Sequence, residues 1–132
     1  MSEITFRYTI LYVDNVPKTL DFFENAFGFE RAMLHESGDY GELDTGATKL
    51  SFSSIRLMTD IGKNPSRPDS SSPAFEIAFE VDDVASALSK ALAAGATLVQ
   101  DSEHTPWGQT TAYVSDSNGF LIELCTPVAT QP

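Results

Sequence analysis

The chain contains an internal duplication, and this repeat constrains its fold more than any other feature of the sequence. The segment YTILYVDNV, which begins at Tyr8, aligns with EIAFEVDDV, which begins at Glu76. Both copies continue into a stretch with leucine at the matching place, Leu20 and Leu88, and both then reach a glycine of the kind that ends a helix. A matched strand, turn, helix and glycine indicates two copies of one supersecondary unit.

The hydrophobic pattern predicts one order of elements in both copies: a strand, a helix and three further strands. Residues 4–13 are rich in β-branched and aromatic side chains, as is typical of a strand. In the second copy, apolar and polar residues alternate through AFEIAFEV, with Phe75, Ile77 and Phe79 on one face, which indicates a half-buried strand. The sequence therefore predicts an α+β fold made of tandem βαβββ modules.

Both predicted helices have a capping residue before them and a glycine after them. The first helix follows Asp14 and Asn15, which supply turn or cap chemistry. The second helix is expected over DDVASALSKALAAG, with Val84, Leu88 and Leu92 on its apolar face.

Six further strands are expected, three in each copy. They fall near residues 30–36, 40–44 and 49–54, and near residues 97–100, 110–115 and 120–126. Between the copies, residues 59–73 hold three prolines and four serines with almost no apolar side chains, which is typical of a linker or a mobile loop. The expected organisation within one structural domain is a first module at 1–58, a linker loop at 59–73 and a second module at 74–132.

The net charge limits the partners that the chain can have. Nineteen acidic residues against eight basic ones give −11 at neutral pH, which argues against binding to nucleic acid. The acidity either favours a cationic or neutral small ligand or serves solubility alone. No apolar run approaches the roughly 18–20 residues needed to cross a membrane, and MSEITFRYTI shows no signal-peptide pattern. With Cys125 as the single cysteine, a cytoplasmic location is expected.

The ordered set of motifs resembles one known group of proteins. VDNV and VDDV follow the first strand of the two copies, and the chain closes with SDSNGFLIEL. This combination is similar to the vicinal oxygen chelate superfamily, which includes glyoxalase I, extradiol dioxygenases and the bleomycin-resistance proteins. Its common D-P-x-G-x-x-I-E-L ending has Ser117 in place of proline here. The resemblance covers residues 4–127 and implies a curled mixed sheet around a ligand cavity, commonly in a homodimer.

The resemblance also implies four inward positions on the first and last strands of the two halves. Metal-dependent members hold their ion there with histidine or glutamine and with glutamate. These positions fall here on Tyr8, Ser51, Glu76 and Glu123. Because a phenol and a serine hydroxyl are poor donors to a transition metal, we expect no cofactor of the usual type. The alternative is a divalent metal held weakly by oxygens of Glu76 and Glu123.

Aromatic residues are further candidates for a ligand site. Tyr8 and Tyr12 share a strand face with Ile10, and they serve either as aromatic walls for a flat ligand or as core packing. Trp107 lies in the loop TPWGQ. It either stacks on a ligand, as the resemblance to the bleomycin-resistance proteins implies, or caps the core.

The carboxylates Glu76 and Glu123 have several interpretations. If they approach each other in a dry site, one of them should hold a proton, and the pair could act as general acid and base or bind an ammonium or guanidinium group. Lys49 could instead neutralise them, or both could be solvated side chains on an outer face. Three residues of other reactive types are expected to take no part: His35, His104 and Cys125.

The leading hypothesis is a glyoxalase/bleomycin-resistance-like protein that sequesters a small organic molecule without the usual metal. A cationic aromatic compound is one option for that molecule. Its expected ligand-binding residues are Tyr8, Tyr12, Ser51, Glu76, Trp107 and Glu123. The second hypothesis is a lyase, isomerase or dioxygenase that uses Glu76 and Glu123 as an acid–base pair or as partial metal ligands. A third is a module that only mediates protein association.

Overall fold

Each half of the chain forms its own four-stranded mixed sheet. The computed structural model describes residues 3–128. It divides into two units, Met1–Arg67 and Pro68–Pro132, and the division falls inside the segment 59–73. None of the helices described within residues 3–128 is long and apolar enough to span a bilayer.

The first unit contains four strands and two helices. In chain order these are β1 (Tyr8–Val13), α1 (Val16–Phe27), β2 (Glu30–Leu34), β3 (Tyr40–Asp44), β4 (Lys49–Ser54) and α2 (Ile55–Asp60). The strand order across the sheet is β1-β4-β3-β2, in which β1 runs parallel to β4 and the other neighbours are antiparallel.

The second unit repeats this arrangement. Its elements are β5 (Glu76–Glu80), α3 (Val84–Ala93), β6 (Thr97–His104), β7 (Thr110–Ser115) and β8 (Leu121–Cys125). The strand order β5-β8-β7-β6 has the same pairing sense as the first sheet. The predicted α+β fold of two βαβββ modules is therefore confirmed.

Helix α1 forms where its capping residues predict it. The side chain of Asn15 accepts a hydrogen bond from the backbone N–H of Lys18 at 3.0 Å, and Gly28 ends the helix in the left-handed conformation at φ 79°. Its apolar face packs on the sheet, where the rings of Phe23 and Phe52 lie 5.1 Å apart between centroids. Both side chains are fully buried and form the centre of the core of this unit.

Helix α3 begins as expected but buries a different residue in its last turn. Asp83 is the cap and accepts from the backbone N–H of Ser86 at 3.1 Å. Val84 and Leu88 are buried, whereas the predicted third core position, Leu92, remains 36% exposed. Ala91 is buried instead. It follows Leu88 by three residues and lies closer than Leu92 to the middle of the helix face that meets the sheet.

Several element boundaries differ from the predicted ones. Strand β1 begins at Tyr8 rather than at residue 4, and β2 ends at Leu34, so His35 lies in the following turn. Strand β6 extends to His104, well beyond the predicted end at residue 100. Helix α2 was not predicted at all, although it follows β4 without a break.

Each sheet presents one face to a helix and the other away from it. In the first sheet, Leu11, Val13 and Phe52 lie on the α1 side and are buried. In the second sheet, Ile122 and Leu124 lie on the α3 side and are buried. The faces opposite α1 and opposite α3 are therefore the ones that carry the polar side chains singled out in the sequence.

Candidate functional site

The face opposite α3 brings two glutamates of neighbouring strands together. Strands β5 and β8 pair in parallel with Ala78 beside Glu123. Glu76 precedes Ala78 by two residues and therefore shares its face of the sheet. The structure thus places these two predicted site residues, Glu76 and Glu123, on adjacent strands of one unit.

Glu123 is held in place by a phenol on the next strand. Tyr113 of β7 lies directly opposite Glu123, and its hydroxyl donates to Glu123 Oε2 at 2.9 Å. Burial raises the pKa of Tyr113 to about 12, with further contributions from this hydrogen bond and from the charge of Glu123. The phenol therefore stays protonated and acts as a donor to the carboxylate throughout the physiological range.

Glu76 is influenced by the same carboxylate. Burial raises the pKa of Glu76 above its usual range, and the charge of Glu123 and a hydrogen bond with that carboxyl group raise it further. Glu76 therefore takes up a proton more readily than an isolated glutamate would. This is the coupling expected of two carboxylates that share one site.

The charge of the second unit leaves the pair without a counterion. Of the chain's 19 acidic and 8 basic residues, nine acids and one base, Lys90, lie in residues 68–132, so this unit carries −8 of the total −11. Within residues 3–128, no lysine or arginine forms an ion pair with Glu76 or Glu123. Two adjacent carboxylates in such a surrounding attract a cation.

The strand register gives the corresponding positions in the first unit. Ser51 of β4 pairs with Ile10 of β1, as Glu123 pairs with Ala78. Tyr8 lies two residues before Ile10, which is the place that Glu76 occupies relative to Ala78. The predicted correspondence of Tyr8 and Ser51 with the two glutamates thus agrees with the pairing of the strands.

Ser51 has an unusual surrounding for a hydroxyl group. Its side chain is fully buried, and Oγ has no hydrogen-bond partner among the described residues. Burial raises the pKa of the nearby Tyr40 phenol, and Ser51 opposes only part of that rise. A buried hydroxyl without a partner costs about 1–3 kcal/mol. A water molecule or a polar ligand atom at this place would remove that cost.

The first unit contains a carboxylate that the sequence did not single out. Glu42 of β3 lies opposite Ser51 and is 8% exposed. The Tyr40 hydroxyl donates to Glu42 Oε2 at 2.8 Å, and Lys49 Nζ lies 3.2 Å from Glu42 Oε1. The buried glutamate of the first unit thus lies on its third strand, β3, whereas Glu123 lies on the fourth strand of the second unit. Alternation along YGELD could have placed it on this face, but nothing in the sequence showed that it would be buried.

The structure places the aromatic candidates in different surroundings. Tyr8 is 45% exposed, whereas Tyr12 is half-buried and its hydroxyl accepts from Lys63 Nζ at 3.2 Å. Trp107 lies at the turn between β6 and β7, is 58% exposed, and donates from Nε1 to Gln109 Oε1 at 2.6 Å. The only hydrogen bond described for Trp107 within residues 3–128 is therefore local.

The three residues expected to take no part make ordinary contacts. His35 Nδ1 accepts from the backbone N–H of Ser37 at 3.1 Å, and His104 Nδ1 lies 2.9 Å from Thr110 Oγ1. Cys125 is buried, and burial together with nearby carboxylates raises the pKa of its thiol. A raised pKa lowers the thiolate fraction and with it the reactivity of the residue.

The residues present do not fit the four-ligand metal site of metal-dependent relatives. Two of the four positions hold the poor donors Tyr8 and Ser51, and Glu42 in the first unit is already paired with Lys49. Among residues 3–128, no group of three or more His, Cys, Asp or Glu side chains is arranged to hold an ion. The donor set therefore favours recognition by charge and hydrogen bonding.

Two βαβββ units with polar faces of this kind define a glyoxalase-type fold. The family model of the glyoxalase-like domain matches residues 6–129. The chain therefore belongs to the glyoxalase-like domain family.

Solved structures with the same fold cover almost the whole chain. A glyoxalase-related enzyme from Fulvimarina pelagi superposes with a TM-score of 0.80 at 19% identity and covers 96% of this chain and 89% of its own. A glyoxalase/bleomycin resistance protein/dioxygenase family enzyme from Burkholderia phytofirmans PsJN gives 0.76 at 20% identity, with 93% and 98% covered. TioX from Micromonospora sp. ML1 gives 0.71 at 21% identity, with the same coverage. A search of curated proteins found no match.

Proposed function

We propose that this protein binds a small organic molecule with a cationic group, and that Glu76 and Glu123 provide the negative charge that recognises it. The observation that carries the proposal is the pair itself: two carboxylates on adjacent strands, without a lysine or arginine partner among the described residues. An organic ammonium would replace the missing counterion and relieve the repulsion between the two groups.

Tyr113 supports this role by fixing one of the two carboxylates. Its hydroxyl uses one oxygen of Glu123, which leaves the other oxygen for a ligand. Because the phenol remains protonated, it orients Glu123 without adding a negative charge. The mechanism is sequestration by complementary charge and buried area, as in the binding proteins to which the family is related, and it requires no chemical step.

Binding of a cationic probe to charge-neutral variants tests the proposal. Benzyltrimethylammonium titrated by calorimetry should bind the native protein, and Glu76→Gln and Glu123→Gln should each weaken binding by about tenfold, or about 1.4 kcal/mol. Glu103→Gln removes the same charge from β6 of the same unit and should change binding little. Affinity should rise with pH as Glu76 loses its proton. Equal weakening in all three variants, or no binding by the native protein, would refute the proposal.

A metal titration tests the cofactor part of the same proposal. Elemental analysis of protein purified without chelator should find no stoichiometric transition metal. Zn²⁺, Ni²⁺ or Mn²⁺ should shift the melting temperature by little. An ion that bound only the folded state would instead add about 2.7 kcal/mol of stability at 100 times its Kd. A stoichiometric ion with a large stabilisation would overturn the metal-free assignment.

A proton-transfer enzyme is the second candidate function. It is favoured by the unequal surroundings of the pair: Glu123 accepts a hydrogen bond from Tyr113, while Glu76 holds a proton more readily than usual. Such a pair can act as base and acid on the carbon next to a carbonyl group. Deuterium exchange at that carbon of hydroxyacetone, followed by NMR, should then depend on Glu123. Exchange at the same rate with Glu123→Gln would exclude this role.

A further inference from the structure

Helix α2 ends in a structure that fixes the position of one lysine. The backbone N–H of Lys63 donates to the carbonyl of Met58 at 2.9 Å, and that of Gly62 donates to Thr59 at 3.1 Å. Gly62 has φ 97°. These two bonds around a left-handed glycine form a Schellman motif, which sets the direction of the chain after the helix. The backbone of Lys63 is therefore anchored, although its side chain is exposed.

The lysine side chain reaches the phenol of β1. Lys63 Nζ lies 3.2 Å from Tyr12 Oη and 5.5 Å from the centroid of the Tyr12 ring. One of its three N–H donors is used by Tyr12, which leaves two for another acceptor. The ammonium group therefore has donors to spare at the edge of an aromatic ring.

Lys63 differs from four other basic residues of the first unit, although not from Arg7 and Lys18, in lacking an acidic partner among residues 3–128. Four basic side chains of the first unit form ion pairs with carboxylates: Arg31, Lys49, Arg56 and Arg67. No ion pair of Lys63 is present among residues 3–128. In a chain with 19 acidic residues, an exposed ammonium without a carboxylate is a position where an external anion can bind.

A row of apolar and aromatic side chains leads up to this ammonium. Tyr8, Ile10 and Tyr12 follow one another on the face of β1 opposite α1, and we call them the β1 row. Successive members stand about 6.6 Å apart along the strand, so one aromatic ring spans the step from Ile10 to Tyr12. Ile10 is 45% exposed, and its neighbour on β4 is Ser51, whose hydroxyl has no partner among the described residues.

We propose that the β1 row and Lys63 form a binding site for a small aromatic carboxylate. The ring of the ligand packs on Ile10 and Tyr12, and its carboxylate accepts hydrogen bonds from the Lys63 ammonium. A single carboxylate on the ligand matches the single ammonium group of Lys63. This site lies on the first unit and takes an anion, so it stands independently of the cation-binding proposal for Glu76 and Glu123.

The contact between Lys63 and Tyr12 could instead serve only to hold α2 against β1. The two roles predict different effects for Lys63→Gln, which removes the charge and keeps most of the side-chain length. A structural role lowers the melting temperature of the free protein and leaves ligand selectivity unchanged. A recognition role reduces the preference for a carboxylate over its neutral amide.

NMR titration with benzoate and benzamide distinguishes these roles. The native protein should bind benzoate more tightly than benzamide, with shift changes at residues 8–12 and 61–63. Lys63→Gln should weaken benzoate binding by about tenfold, or about 1.4 kcal/mol, and leave benzamide binding unchanged. Lys18→Gln, which removes an exposed lysine of α1, should change neither affinity.

Each other outcome overturns the proposal. Benzoate shifts that fall elsewhere, or that are absent, would show that the β1 row is not the site. Equal losses with Lys63→Gln and Lys18→Gln would show a general effect of net charge. A lower melting temperature with an unchanged ratio of benzoate to benzamide affinity would assign Lys63 to structure alone.

Discussion

Two glutamates in corresponding halves of the molecule differ in the partners they meet. Glu42 in the first unit is bound by a phenol and by Lys49, and its charge is neutralised. Glu123 in the second unit accepts from a phenol and lies beside Glu76, and no lysine or arginine among the described residues pairs with it. Because a paired carboxylate has little affinity left for another cation, the difference explains why the two halves are expected to bind different ligands.

The titration of Tyr113 reports directly on its bond to Glu123. The pKa of Tyr113 should be about 12 in the native protein, measured by the ¹³Cζ chemical shift against pH and assigned with Tyr113→Phe. In Glu123→Gln it should fall toward its usual value of about 10 but stay above it, because burial is the largest cause of the shift. Tyr40, which is bonded to Glu42, serves as an internal control and should titrate unchanged.

The same shift gives a dependence of stability on pH. The folded protein holds the Tyr113 proton more tightly than the unfolded chain does, because the pKa is raised on folding. This contribution is fully present below about pH 10 and is lost as the pH rises toward about 12. In urea unfolding, the native protein should lose more stability than Tyr113→Phe over this interval. An equal loss in both proteins would contradict the assignment.

The positions of single residues were predicted where strand parity decides them. Glu76 and Glu123 lie, as predicted, on the first and last strands of the second unit, because alternation and the repeat fix their positions. Glu42 was missed because its surroundings include Ser51 and Lys49 of β4, which come close only when β3 and β4 pair. The role of Trp107, in ligand stacking or in capping the core, stays a prediction, because its loop carries no periodic pattern.

At the scale of elements, the turn before β8 depends on a buried acid and a glycine. Asp116 Oδ1 accepts from the backbone N–H groups of Gly119 at 3.0 Å and Phe120 at 2.9 Å. Asn118 donates to the other oxygen at 2.9 Å. The motif SDSNG thus builds the turn that leads into the strand of Glu123.

Gly119 should tolerate no side chain for two separate reasons. Its φ is 104°, and an added Cβ would lie 2.5 Å from the carbonyl oxygen of Pro68. Gly119→Ala should therefore lower the free energy of unfolding by about 3 kcal/mol or more, from backbone strain and displacement of Pro68 together. The urea midpoint measures this loss.

Gly95→Ala is the matched control for that substitution. Gly95 has φ 108° in the same unit, but no atom lies within 4 Å of an added Cβ. It should cost about 1–2 kcal/mol from strain alone. Equal losses at Gly95 and Gly119 would show that contact with Pro68 contributes nothing.

Helix α2 shows which elements sequence patterns do not reveal. It has only six residues, and Ser54, the last residue of β4, is also its cap, accepting from the backbone N–H of Leu57 at 3.0 Å. A helix this short has no apolar periodicity to detect, and its stability comes from its caps and from burial of Met58. The long helices α1 and α3 were predicted because each has a cap, an apolar face and a glycine after it.

At the scale of the whole molecule, the charge is divided unequally between the units. Residues 68–132 contain one basic residue, Lys90, and nine acidic ones, whereas seven of the eight basic residues lie in residues 1–67. The duplication preserved the order of strands but not the electrostatics. Net charge far from zero destabilises a folded unit by repulsion among its own side chains.

Salt should therefore stabilise the second unit more than the first. Raising NaCl from about 20 mM to about 500 mM shortens the Debye length from about 20 Å to about 4 Å and screens the repulsion. Hydrogen exchange measured by mass spectrometry should slow on the order of threefold more in peptides from β5, β7 and β8 than in those from β1, β3 and β4. Sucrose, which favours compact states without screening charge, should slow both sets alike. A uniform response to NaCl, or a larger one in the first unit, would show that repulsion within residues 68–132 does not limit the stability of that unit.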